Sequence, residues 1–259
     1  MADICDLNIK NCCIGRQKSN ICVPLLSRNT ADLLEDAEAI KSLRPDMFEW
    51  RADYFAEISN PAKVLAALER LSAITKDYPV IFTYRDYHEG GFIKVNPQER
   101  ASVIKTVINS GLVDLVDVEL QSGQPMLDEI IQTAHEHDVY VILSYHDFEQ
   151  TPSHQKITEI LLAEQEAGAD LGKIAVMPKN PQDVLRLMDT VLQFNTSSAL
   201  IPVIAMSMSQ LGMITRISGC IYGSAVTYAA YDKESAPGQI PVKKMHQLLA
   251  AVCPQNQAD

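Results

Sequence analysis

The sequence predicts an α/β protein folded as a (β/α)8 TIM barrel, with an N-terminal β-hairpin closing its lower end. Three observations predict this fold. Short β-rich runs alternate with amphipathic helical stretches along almost the whole chain. There are eight such runs, and the 259 residues match the length of about 250 at which a barrel of this kind forms one unit. A single domain over residues 1–259 is therefore expected. Periodicity alone also allows an open doubly wound sheet.

In chain order, residues 6–19 come first, with Leu7-Asn8-Ile9 and Cys12-Cys13-Ile14 before Gly15, and these read as the hairpin. The barrel strands are expected at 21–26, 47–53, 80–85, 113–120, 140–148, 172–177, 201–208 and 221–226. Helices lie between them. Asn29-Thr30 opens one over 31–43, while Pro61, Pro125 and Pro181 each fall near a first turn, where a proline costs no hydrogen bond. The last helix covers 242–252.

Composition narrows the function classes. A content of 47% hydrophobic and 21% charged residues supports a large core and shows no disordered signature. No apolar run approaches the roughly 20 residues that span a bilayer, and no charged-then-apolar leader opens the chain. A soluble, cytoplasmic protein without membrane association is expected. The six cysteines, Cys5, Cys12, Cys13, Cys22, Cys220 and Cys253, form no CxxC pair. They are expected to pack as free thiols in a reducing compartment, with no zinc site. A net charge of −11 disfavours nucleic acid. An anionic substrate would need its cations gathered locally.

Strand alternation puts Glu49, Arg51 and Asp53 on one face and Trp50 and Ala52 on the other. The outer face of a barrel strand packs on helices, so the ionic face points inward, near the end where barrel active sites lie. Thr83 and Arg85, Asp117 and Glu119, Ser144, His146 and Phe148, and Lys173, Ala175 and Met177 repeat the pattern on the next four strands. Each charge alone is equally well a satisfied ion pair. A mixed-sign cluster converging from five consecutive strands points to a site, because buried charge is expensive unless paired.

Lys173 stands out because 171–178 holds no other charged side chain. Apolar surroundings favour its neutral, nucleophilic amine, the form that makes imines. It falls near the start of its strand, so either that boundary is misplaced or the amine sits deep. A buried lysine paired with Asp117 or Glu119 is the plain structural alternative. His146 at the end of the preceding strand is the proton-transfer candidate. His88, beside Glu89-Gly90-Gly91, is a weaker one, and residues 233–239 form a polar Pro-Gly loop placed to act as a lid.

Taken in order, Glu49-Trp50-Arg51, Glu89-Gly90-Gly91, Ser144-Tyr145-His146-Asp147-Phe148, Lys173-Ile174-Ala175-Val176-Met177, Met206-Ser207-Met208, Gly223-Ser224-Ala225 and Ser235-Ala236-Pro237-Gly238-Gln239 make a sequence that resembles the type I 3-dehydroquinate dehydratases. The resemblance implies dehydration of 3-dehydroquinate to 3-dehydroshikimate in the shikimate pathway, towards chorismate and the aromatic amino acids. It also implies a lysine Schiff base, no metal or organic cofactor, and a homodimer. It assigns Lys173 to the imine, His146 to proton transfer and Glu89 to orienting that histidine. The substrate contacts it implies are Glu49, Arg51, Arg85, Arg216, Ser235 and Gln239. Many relatives carry a small polar residue near the end of the first barrel strand, where this chain has Val23-Pro24-Leu25. Two other readings stay open: a class I aldolase, which shares barrel and lysine but cleaves a C–C bond, and a silent barrel that binds a carboxylated metabolite.

Overall fold

The computed structural model describes residues 7–16 and 18–253. It opens with an antiparallel hairpin of β1 (Leu7–Ile9) and β2 (Cys12–Ile14). Cys5, Asp6 and Gln17, from the segment read as hairpin and the cysteine set, lie outside the described residues. Then βα units follow: β3 (Asn20–Leu25) and α1 (Thr30–Ser42), β4 (Met47–Arg51) and α2 (Pro61–Ile74), β5 (Val80–Thr83) and α3 (Pro97–Ser110), β6 (Leu115–Glu119) and α4 (Gln124–Glu136). The second half continues with β7 (Tyr140–Asp147) and α5 (His154–Glu166), β8 (Leu171–Val176) and α6 (Pro181–Ser197), and β9 (Val203–Ser207) with the short α7 (Met213–Ile217) and α8 (Gly219–Tyr222). The chain ends through β10 (Val226–Ala230), the two-residue β11 (Ile240–Pro241) and α9 (Val242–Val252).

The sheet order is β11-β10-β3-β4-β5-β6-β7-β8-β9, and every neighbouring pair is parallel. The ring closes where Val203 on β9 bridges Ser224 just before β10, with the Ala225 N–H donating to the Val203 carbonyl at 2.8 Å. Strand alternation builds two cores from the same segments. Outward residues such as Phe48, Trp50, Phe82 and Val118 pack on the helices, and the Trp50 ring meets Phe55 and Phe82 edge-on. Inward residues at the strands' starts, Cys22, Met47, Ile81, Leu115, Ile142 and Leu171, form a floor that Ile9, Cys12 and Ile14 of the hairpin cover. The apolar floor forces the charged inward residues toward the opposite mouth.

Helix starts follow local chemistry. Asn29, Asn60, Asn96, Ser153 and Asn180 each accept an N–H of the first turn, and Pro61, Pro97 and Pro181 open their helices. Two expectations are corrected. The last barrel strand is 226–230 rather than 221–226: residues 219–222 form a helical turn, ended by Gly223 at φ +88°. At that φ a glycine ends a helix without strain. The cysteines do not all pack as free thiols either, since Cys220 on α8 and Cys253 after α9 form a disulfide with Cα atoms 5.9 Å apart. Cys12 and Cys22 are buried free thiols and Cys13 is exposed. No helix among the described residues is long and apolar enough to cross a membrane.

Candidate active site

The inward charges meet at the barrel mouth. A cavity of about 40 Å³ is lined by Glu49, Arg51, Arg85, Glu89, His146, Lys173, Ser235 and Gln239, with Phe148, Met206, Met208 and Tyr228 as apolar walls. Every predicted site residue lines it except Arg216, whose guanidinium stands behind Met206 with Nη1 3.8 Å from the sulfur. A larger cleft of about 530 Å³ between 24–40 and 231–233 carries Asp32, Glu35, Asp36 and Asp232 on its walls. Its carboxylates suit an anionic substrate poorly.

Lys173 is the third residue of β8, so the expected boundary holds and the amine sits deep. Its Nζ lies 2.6 Å from Asp117 Oδ2, 4.0 Å from Glu49 Oε1 and 4.6 Å from the centre of the Tyr228 ring. The apolar surroundings inferred from sequence are those of the strand, while the head group reaches carboxylates on β4 and β6. Asp117 is shared. Arg85 Nη2 donates to its Oδ2 at 2.8 Å and Ser144 Oγ to its Oδ1 at 2.7 Å. Burial pushes the Asp117 carboxyl up, but Arg85 and Lys173 outweigh it and hold the group well below the usual carboxylate range. Arg85 also donates to Glu119, which Arg100 anchors from α3. Arg51 grips Asp53 through two 2.9 Å bonds. Thr83 donates to Glu49 at 2.8 Å.

Register sets His146 opposite Ala175 and Ser144 opposite Lys173, so the imidazole is one same-face step further along the wall than the lysine. Glu89 Oε2 accepts the His146 backbone N–H and faces His146 Nδ1, both at 2.9 Å. The loop is shaped for this contact. Asp86 caps the turn at His88, and Gly90 sits at φ +86° where a Cβ would lie 2.6 Å from the Phe148 ring. At Gly91 a Cβ would fall 2.2 Å from the Arg85 carbonyl. His88 itself is exposed and outside the site. Burial, then Arg85 and Lys173, hold His146 well below 6.5, so its imidazole is neutral at neutral pH. Burial, then Glu119, lift Glu89 to about 8.

Loop 233–239 is seated over the mouth. Ser235 and Gln239 bond each other twice, at 2.8 and 2.9 Å. The Pro237 carbonyl accepts from the Ser209 N–H and from Arg216 Nη2, both at 3.1 Å. Gly238, at φ +81°, approaches Ser209 so closely that a Cβ would lie 2.3 Å from its carbonyl. Pro-Gly here is a close-approach device. Burial lowers the Arg216 guanidinium to about 10, which still leaves it charged at neutral pH. Arg51, Arg85 and Lys173 all have carboxylate partners, whereas among the described residues no carboxylate comes within ion-pair distance of Arg216. A buried cation in that position is an anion receptor in waiting.

A family model described as type I 3-dehydroquinase matches residues 21–253. The chain belongs to the type I 3-dehydroquinase family. Among curated relatives, the 3-dehydroquinate dehydratase of Bacillus licheniformis is 40% identical over 243 residues, covering 94% of this chain and 96% of that protein. The protein of the same name from Clostridioides difficile is 41% identical, with 94% and 95% covered. Among solved structures, the type I 3-dehydroquinate dehydratase of Clostridium difficile superposes with a TM-score of 0.93 at 39% identity, covering 97% of this chain and 99% of that one. The enzyme from Geobacillus kaustophilus gives 0.93 at 35%, with 98% of each covered.

The site carries a pH-sensitive contact at Glu89. Its folded pKa of about 8 exceeds the ordinary value of 4.5, so between those limits the folded state holds a proton that the unfolded chain has released. Stability is therefore lost as pH rises towards 8 and stops changing above it. Relative to Glu89→Gln, wild type should lose about 1.4 kcal/mol per pH unit between about pH 5.5 and 7, and about half that slope by pH 8. Urea unfolding of both proteins across that range checks it. Parallel curves would mean that Glu89 is ionised throughout.

Tyr228 was not singled out from sequence. It contributes a buried ring beneath Nζ, and its hydroxyl has no hydrogen-bond partner among the described residues. The misplaced last strand hid it, because the expected strand ends at 226 and its alternation does not reach Tyr228.

Proposed function

We propose that this chain dehydrates 3-dehydroquinate to 3-dehydroshikimate through an imine on Lys173, as one catalytic domain. The observation carrying this reading is a buried lysine amine, reached from β8, in the same pocket as the neutral imidazole of His146. The resting amine is ion-paired with Asp117, so it must shed a proton before it attacks the ring ketone. His146 is the base in the pocket suited to take it. Attack forms the N–C bond, and the imidazolium of His146 returns its proton to the ketone oxygen, which leaves as water, so that a protonated imine and a neutral imidazole remain.

That imine draws electrons from the adjacent C–H bond, and His146 removes the proton. The electron pair then expels the ring hydroxyl, which takes the proton back from the imidazolium and departs as water. Hydrolysis of the imine releases the product and restores the amine. Glu89 orients the imidazole through Nδ1 throughout. Arg51, Arg85, Glu49, Ser235 and Gln239 are assigned to the substrate hydroxyls and to closure of the mouth.

Arg216 is assigned to the ring carboxylate. A planar guanidinium can hold both oxygens, and burial strengthens the pair. Arg216→Lys keeps the charge but loses the fork, so KM for 3-dehydroquinate should rise about 10- to 100-fold. Steady-state kinetics check this, and an unchanged KM would place the carboxylate elsewhere.

A homodimer and a cytoplasmic location are further parts of the proposal. Leu185 on α6 and Ile221 on α8, 64% and 60% exposed, supply apolar surface of the kind a second copy would cover. In a reducing compartment Cys220 and Cys253 would stand as a thiol pair. Product analysis with 3-dehydroquinate tests the activity. The dehydrated ring should appear with all carbons retained, whereas two smaller fragments would indicate an aldolase, and unchanged substrate a silent barrel.

A further inference from the structure

Behind the catalytic strand lies a carboxyl that the proposed chemistry does not use. Glu164 on α5 is fully buried, its Oε2 accepts the backbone N–H of Lys173 at 3.0 Å, and its Oε1 has no hydrogen-bond partner among the described residues. The preceding residue makes room for it: a Cβ on Gly172 would lie 2.7 Å from Glu164 Oε2. The strand entry at this point is irregular. The Asp170 N–H donates to Val141 on the β7 side, and the Gly172 N–H to Pro202 on the β9 side. In a regular strand, N–H groups two residues apart leave the same edge. The backbone therefore rolls over between 170 and 172, and the next N–H, that of Lys173, is met by a side chain from the helix layer.

We infer that Glu164 is a positioning residue for Lys173, fixing the main chain from which the reactive amine projects. The inference rests on the proposed role of Lys173. Geometry gives it force, because a displacement of about 1 Å at a reacting group can cost 100-fold in rate. Burial keeps the carboxyl well above the usual carboxylate range, so it enters the barrel wall as a neutral acid and adds no charge beside the amine. What matters is the acceptor oxygen, and a neutral amide of the same shape supplies one.

The test compares Glu164→Gln and Glu164→Met with wild type, with far-UV circular dichroism checking the fold of each. Trapping of wild type by borohydride with 3-dehydroquinate comes first, and absence of an adduct on Lys173 would overturn the lysine reading itself before any variant is measured. With the adduct in place, Glu164→Gln should keep kcat within about twofold and leave its pH profile unmoved. Glu164→Met should lower kcat and the rate of adduct formation together by about 10- to 100-fold, with KM changed by less than about threefold. A folded Met variant with wild-type kcat would overturn the inference, as would a Gln variant impaired as severely as Met. If the Met variant does not fold, Glu164→Asp replaces it. The shorter acid should lower kcat at constant KM, and wild-type kcat would count against the inference.

Discussion

Replacing Lys173 by alanine is expected to reduce turnover of 3-dehydroquinate by more than about 10⁴-fold, to the assay background. Among the described residues no other amine lines the pocket, so nothing there takes over the covalent step. The loss should be in kcat, because Arg216, Ser235 and Gln239, the residues proposed to hold the substrate, are untouched. Removal of the amine also frees Asp117, which is still held by Arg85 and Ser144. The barrel should therefore fold, and calorimetric titration should still detect substrate binding. Turnover within tenfold of wild type in a folded variant would exclude the covalent route.

Replacing His146 by alanine should lower kcat by about 10² to 10⁴-fold, the usual weight of a positioned acid or base. The signature differs from that of the lysine variant. Solvent can still take the amine's proton, so the imine should form slowly and accumulate, because elimination lacks its base. Mass spectrometry of the protein mixed with substrate should find a covalent species that wild type turns over too fast to hold. Glu89→Gln should fall between the two proteins, since the amide oxygen can still face Nδ1 while the proton inventory of the pair changes. Unchanged steady-state turnover in His146→Ala would remove the imidazole from the mechanism.

Much of the site was legible because strand alternation is a strict rule. Glu49 and Arg51 had to share a face, and the same counting on four more strands brought Arg85, Asp117, His146 and Lys173 together. Long-range pairing was not legible in the same way. That Asp117 serves both Arg85 and Lys173 depends on the register of β6 against β5 and β7, which no local pattern fixes. The segment 221–226 reads as a strand by composition, but Gly219 and Gly223 bracket a helical turn that takes in its first residues, and the strand runs over 226–230 instead. The Cys220–Cys253 contact joins elements 33 residues apart and has no spacing signature. Glu164 reads as an ordinary polar helix residue until α5 is laid against β8, where only a glycine at 172 makes room for it.

One measurement addresses the central claim most directly: borohydride reduction with 3-dehydroquinate present, followed by digestion and mass mapping of the peptides. A single added mass, on the peptide containing Lys173 and absent when either reagent is omitted, is the expected result. A dehydrating enzyme that yields no adduct, or one labelled at a lysine elsewhere, would contradict it.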